Sequence, residues 1–138
     1  MNTKTKEKSL STLEHDLDLV FGQFISLRDY NNGWKCFICG TRIPSKSYGQ
    51  VCHFIPRAKM PTRYDEYNCN FGCIDCNCYD KDHQERYERA MIAKYDFDLV
   101  EDLKIASNTL AKFMRHEIQE LIDLYTSKVL AIKKLKGL

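Results

Sequence analysis

Two Cys-x-x-Cys pairs, CFIC at Cys36 and Cys39 and CIDC at Cys73 and Cys76, constrain this chain more than any other feature. Such a turn reverses tightly enough to aim two thiolates at one ion. Two of them complete the four ligands of a closed tetrahedral zinc site, so a structural Zn2+ on these four cysteines is expected. The chain must therefore bring its two knuckles together, whatever the segment between them does. That segment is longer than a simple zinc ribbon needs and leaves room for a hairpin carrying His53.

Composition supports thiolates over disulfides. The seven cysteines are an odd number, and the start, MNTKTKEKS, is hydrophilic and without a secretory apolar segment. Reduced cysteines in a cytoplasmic protein are the expectation. No apolar run approaches the roughly 20 residues that span a bilayer, so no membrane partner is expected. A chain of 138 residues suits a single domain whose modest core is helped by a metal staple.

The net charge of +2 says little, but its distribution says more. From Trp34 to Tyr64 the chain carries Lys35, Arg42, Lys46, Arg57, Lys59 and Arg63 and no Asp or Glu, whereas the stretch from Asp65 to Asp102 is mostly acidic. A phosphate backbone is attracted to such a basic block. On charge alone a solvated loop explains it equally well.

The order of elements follows from periodicity. Residues 1–10 read as a polar tail and 11–30 as an amphipathic helix: Ser11 and Glu14 have capping-box spacing, and Leu13, Leu17, Val20, Phe21, Phe24 and Leu27 recur at three- and four-residue steps. Asn31, Asn32 and Gly33 stop it. Within 34–95, Tyr48 to Ile55 supplies one hairpin arm ended by Pro56, and a helix starts just after the second knuckle, with Tyr87, Met91 and Tyr95 repeating every fourth residue. Residues 97–138 hold a short helix around Asp98 to Ala106 and a long one from about Asn108 to Lys136. The stripe Leu110, Met114, Ile118, Leu121, Tyr125, Val129 and Ile132 either packs on the first helix or forms a homodimer through this C-terminal helix. The fold class is α+β, mostly helical.

A histidine on a hairpin, followed by asparagines and a metal-stapled helix, suits phosphodiester hydrolysis. That reaction needs a base to deprotonate water and a divalent cation, Mg2+ or Mn2+, to stabilise the developing charge. His53 is the candidate base. Asn77 directly follows the last zinc cysteine, so the zinc site would aim its amide oxygen at a catalytic metal. Asn68 can hydrogen-bond the backbone beside His53. Arg57 and Arg63 can grip phosphate oxygens with their forked guanidinium groups. Asp65 and Glu66 are expected to be structural, and Cys52, Cys69 and Cys78 to be small buried groups or bystanders.

This is the HNH, or ββα-metal, nuclease pattern. The run CFICG, CHFIPR, PTRYDEYN, CIDCN and YERAMIAKY, with FISLRD before it and ELIDLY in the last helix, resembles the NinG/Rap family of phage recombination endonucleases from about Leu13 onward. The resemblance implies a zinc-stapled ββα-metal core flanked by helices. It also implies a phage protein in a bacterial host that cleaves branched DNA such as Holliday junctions and displacement loops, with Asn77 as a metal ligand. Two positions depart from the pattern: Cys52 stands where relatives carry Gly, and Gln50 and Cys52 occupy places where ββα-metal nucleases put an acidic or histidine metal ligand. His83, six residues after Asn77, is the candidate substitute as a metal or phosphate contact, the alternative being a solvated helix histidine.

Two other readings share these residues. One is an HNH enzyme that nicks or cuts duplex DNA with some sequence preference. The other is a non-catalytic zinc module that binds DNA or protein, which gives no reason for His53 beside Asn77. A zinc deaminase is excluded, because Ile55 stands where its His-x-Glu signature needs a glutamate.

Overall fold

The computed structural model describes residues 7–79 and 82–138, without the side chains of Cys78 and Tyr79. In chain order the elements are α1 (Leu10–Asp29), β1 (Trp34–Lys35), β2 (Arg42–Ile43), β3 (Gly49–His53), α2 (Met60–Arg63), β4 (Cys69–Cys73), α3 (His83–Lys94), α4 (Phe97–Ser107) and α5 (Arg115–Lys136). The chain is α+β and mostly helical, and none of the described helices is long and apolar enough to cross a membrane. By its internal packing it divides into two compact units, Met1–Phe24 with Phe113–Leu138, and Ile25–Lys112.

The first unit is a pair of helices. Leu13, Leu17, Phe21 and Phe24 of α1 are buried, as are Ile118, Tyr125 and Val129 of α5. Tyr125 meets Phe21 edge-on with ring centres 4.9 Å apart and Phe24 at 5.4 Å, and Lys128 Nζ lies 5.2 Å from both the Phe24 and Tyr125 rings. Leu13 lines a cavity with His116 and Gln119, so neighbours advance together along both helices and the two run parallel. The apolar stripe thus packs on the first helix from Ile118 to Val129.

Three boundaries differ from the sequence expectation. The cap of α1 is Ser9, whose Oγ accepts from the Thr12 amide at 3.2 Å, and not Ser11. The long helix begins at Arg115, not near Asn108. Side chains of Ser107, Asn108 and Thr109 donate to carbonyls in the last turn of α4 and end it there, while Glu117 accepts from the Met114 amide and starts α5. Leu110 accordingly lies outside any helix and is fully exposed. After the second knuckle a π-helical turn at Asp75–Tyr79 comes first, and α3 starts only at His83.

In the second unit, β1 and β2 form the small antiparallel knuckle that carries Cys36, and β3 and β4 form a longer antiparallel hairpin. Its register pairs Gly49 with Cys73, Cys52 with Asn70 and His53 with Cys69. Side chains alternate across a strand, so Cys52 and Asn70 share one face while His53 and Cys69 share the other. Two glycines let the hairpin close on its neighbours. A Cβ on Gly49 would fall 2.5 Å from the Phe71 ring, and one on Gly72 would fall 2.8 Å from Cys52 Sγ. On the Cys52 face the core gathers Phe54, Ile55, Tyr87, Met91, Val100 and Leu103, which packs α3 and α4 against the hairpin.

Candidate metal cluster and histidine site

The four knuckle cysteines converge. Their sulfurs all lie within 4.8 Å of one another, and Cys39 and Cys73 are 3.8 Å apart. Four sulfurs bound at about 2.3 Å around one tetrahedral ion sit about 3.8 Å from each other, so the cluster matches the site a metal such as zinc occupies. Its protonation chemistry points the same way. Burial works against ionisation of Cys39, yet hydrogen bonds from Thr41 and from the Cys36 and Cys76 thiols bring it down to about 6. Burial and the neighbouring thiols hold Cys76 up, and burial raises Cys73 as well. Thiols this close cannot all ionise unless a cation replaces their protons.

This cluster fixes one end of the β3–β4 hairpin, because Cys73 closes β4 and pairs across to Gly49. His53 lies at the opposite end. Its Nε2 is 3.1 Å from the carbonyl oxygen of Arg63. A carbonyl only accepts, so Nε2 carries a proton, and in the neutral ring the lone pair is on Nδ1. The imidazole is thereby fixed both in tautomer and in orientation.

Asn68 ties the loop that makes this contact. Fully buried, its Oδ1 accepts from the Ile55 amide at 2.8 Å, and its Nδ2 donates to the carbonyls of Ile55 and Thr62, each at 3.0 Å. One amide thus joins the strand just beyond His53 to α2, whose last residue supplies the carbonyl for the imidazole. Asp65 caps the turn before Asn68, accepting from the Tyr67 amide at 2.9 Å.

A second clamp comes from the end of α1. Arg28 donates to the carbonyls of Glu66 and Cys69, both at 2.7 Å, and Asp29 accepts from the Phe71 amide at 2.8 Å. Arg28 and Asp29 also pair with each other at 2.8 Å. Burial works against the Arg28 charge, but its bonds to Asp29 outweigh that and raise its pKa. Together these two side chains hold β4 along the residues that pair with β3. In the sequence the pair shows as adjacent opposite charges closing the FISLRD motif, and its role is not legible there because its partners lie about forty residues away.

The other face is held by Tyr87. Burial pushes its phenol well above the usual value, so it stays an O–H donor and reaches the Cys52 carbonyl at 2.8 Å. Asn70 Nδ2 donates in turn to the Tyr87 oxygen at 3.1 Å. Cys52 and Cys69 are buried, whereas the Cys78 side chain lies outside the described residues. Asn77 follows the cluster directly and is half-buried. His83 stands at the first residue of α3 with a buried Nδ1 that has no hydrogen-bond partner among the described residues, and the next residue, Gln84, donates to the Phe54 carbonyl at 3.1 Å. The start of α3 thus sits beside the strand end that bears His53.

Of the basic residues, Lys35, Arg42, Lys46, Arg57 and Lys59 are exposed. Arg63 is half-buried, with its guanidinium 5.6 Å from the Tyr64 ring and a bond to Met60 Sδ, so its backbone carbonyl is its firmest contribution to the site. His15 and His116 lie in the helical unit.

Compared with known proteins, residues 1–136 match the family model described as NinG, bacteriophage lambda NinG protein. No curated protein and no solved structure matches the chain.

Proposed function

The chain belongs to the NinG family of phage recombination-related proteins, and from that premise we propose that it is a metal-dependent endonuclease of the HNH type that cuts branched recombination intermediates. The observation that carries this reading is the His53 contact: with Nε2 donating to the Arg63 carbonyl, Nδ1 is the atom that takes a proton from the attacking water. Asn68 keeps that geometry by tying Ile55 to Thr62. Arg57 and the exposed lysines around the loop attract the phosphate backbone.

Zinc fits the four-sulfur cluster, where it staples the hairpin. For the catalytic cation, the candidate donors are the Asn77 amide oxygen and, separately, the His83 Nδ1, which is buried with no hydrogen-bond partner among the described residues. Bound there, Mg2+ or Mn2+ would stabilise the charge on the phosphorane and on the leaving oxygen. Paired incision of a junction calls for two His53 centres, hence a homodimer through α5. Ile118 and Tyr125 are already buried in the single chain, so a second copy would meet the exposed Leu124, Leu130 and Leu135.

The test is cleavage of a four-way junction beside a linear duplex of the same sequence, with and without magnesium. Cutting near the branch, only with the metal, is expected. Equal cutting of the linear duplex favours the sequence-preferring HNH enzyme. Binding without any cutting favours the non-catalytic zinc module and overturns the proposal.

A further inference from the structure

The second unit contains a cavity of about 530 Å³ between the loop after β3 and the segment after α4. Its lining includes Met60, Pro61 and Leu110, flanked by Lys59 and Lys112, and contains no Asp or Glu. Its size is that of small-ligand sites. We propose that this cavity holds one unpaired nucleotide of branched DNA, and that it makes the chain select DNA with a displaced base over a continuous duplex. The proposal rests on the part of the proposed function in which the chain binds branched DNA.

Three observations point to this occupant. The first is charge: two exposed lysines on an apolar floor suit a group that is flat and apolar in one part and anionic in another, as a nucleotide is. The second is the kind of apolar residue. Leu, Met and Pro are the side chains that wedge against unstacked bases, and Leu110 is fully exposed on a segment outside any helix, held out by the capped end of α4. The third is the position in the chain. Helix α2 is a single turn, about 5 Å long; its first residues, Met60 and Pro61, wall the cavity, and its last, Arg63, holds His53. A base lodged at one end of this turn would set the strand beside the imidazole at the other.

The lining also says what the cavity does not read. Ser107, Asn108 and Thr109 face it, but each has a side-chain donor engaged by a carbonyl of α4. The two hydroxyl donors and one Asn108 N–H are thereby taken, and what remains is mainly acceptor oxygens, which the amino groups of several bases meet alike. Selection is therefore by unstacking and charge, and tolerant of sequence.

The experiment measures binding without magnesium, so that it does not depend on cleavage. The full chain is titrated onto a paired duplex and onto the same duplex with a one-nucleotide bulge of 2-aminopurine, a base whose fluorescence rises when it leaves the stack. The bulged duplex should bind more tightly by roughly tenfold, the effect of one well-held base, with a rise in fluorescence. Leu110→Asp should abolish both while leaving paired-duplex affinity nearly intact, and Lys112→Met should reduce the preference. Leu110 is fully exposed, so its replacement does not threaten folding. Equal binding of both duplexes by the unaltered protein, or an unchanged preference in Leu110→Asp, overturns the proposal. Bulge selection without cleavage on later addition of magnesium would sink the nuclease reading and leave this one standing; cleavage without bulge selection would do the reverse.

Discussion

The two ends of the β3–β4 hairpin are held by different physics. At the Gly49–Cys73 end a few thiols gather around one point, and a single ion can fix them all. At the His53–Cys69 end the backbone is held by many separate hydrogen bonds, from Asn68, Arg28 and Asp29. A metal staple is strong and all-or-none, so it suits the end that only has to stay closed. Dispersed bonds each fix one atom, so they suit the end where an imidazole needs one tautomer and one direction.

The largest effect that would separate the two ends comes from removing the metal. Structural zinc in small peptides contributes on the order of 10 kcal/mol, comparable to the whole stability of a domain. Cys36→Ser with Cys76→Ser, or a strong chelator, should therefore unfold the second unit, read as lost near-ultraviolet dichroism. Protein purified without chelator should carry one tightly bound zinc per chain. Full stability in the absence of metal would mean that the cysteine end is not a staple.

A smaller loss is expected at the other end. Asn68→Ala would strand the amide and the carbonyl of Ile55, while the Thr62 carbonyl keeps its bond from the Asp65 amide at 3.2 Å. At about 1–3 kcal/mol for each buried group left without a partner, denaturant unfolding should register a loss of about 2 kcal/mol or more. Asn68→Asp sharpens the point, since it keeps the bond from the Ile55 amide but sets an acceptor against two carbonyls. It should recover little of the loss, whereas a clear rescue would show that the donor bonds to α2 are dispensable.

Arg28→Lys should cost least. Only a fork reaches both the Glu66 and Cys69 carbonyls, so an ammonium keeps the charge and loses one bond, about 1–2 kcal/mol. Chelator sensitivity should not change, because the cysteine end is untouched. If Arg28→Lys also released zinc readily, the two ends would be one cooperative device rather than two.

What the sequence revealed divides along the same line. Cysteine spacing is local and chemically specific, so the cluster could be read from the two pairs, and Asn68 and His53 could be placed by their position between them. The stripe Leu13, Leu17, Phe21 and Phe24 could be read from its period, as could Tyr87 and Met91. The Arg28–Asp29 clamp could not, because its partners are backbone groups far along the chain, and a backbone group has no sequence signature. The start of α5 was misjudged for a related reason. An apolar spacing that ran on through Leu110 and Met114 outweighed the stop signal in Ser107, Asn108 and Thr109, whose side chains bond the last turn of α4.

The central claim is that His53, whose Nε2 donates to the Arg63 carbonyl, presents Nδ1 as the base of a DNA-cleaving site. The most direct measurement is the single-turnover cleavage rate of a four-way junction at neutral pH with magnesium, for the unaltered chain and for His53→Ala, with junction affinity and zinc content measured on the same samples. The account predicts cleavage by the unaltered chain and a rate lower by about 10² or more in the variant, the usual size of a lost general base, with affinity and zinc unchanged. A folded, zinc-loaded His53→Ala protein that cuts at the unaltered rate would contradict it.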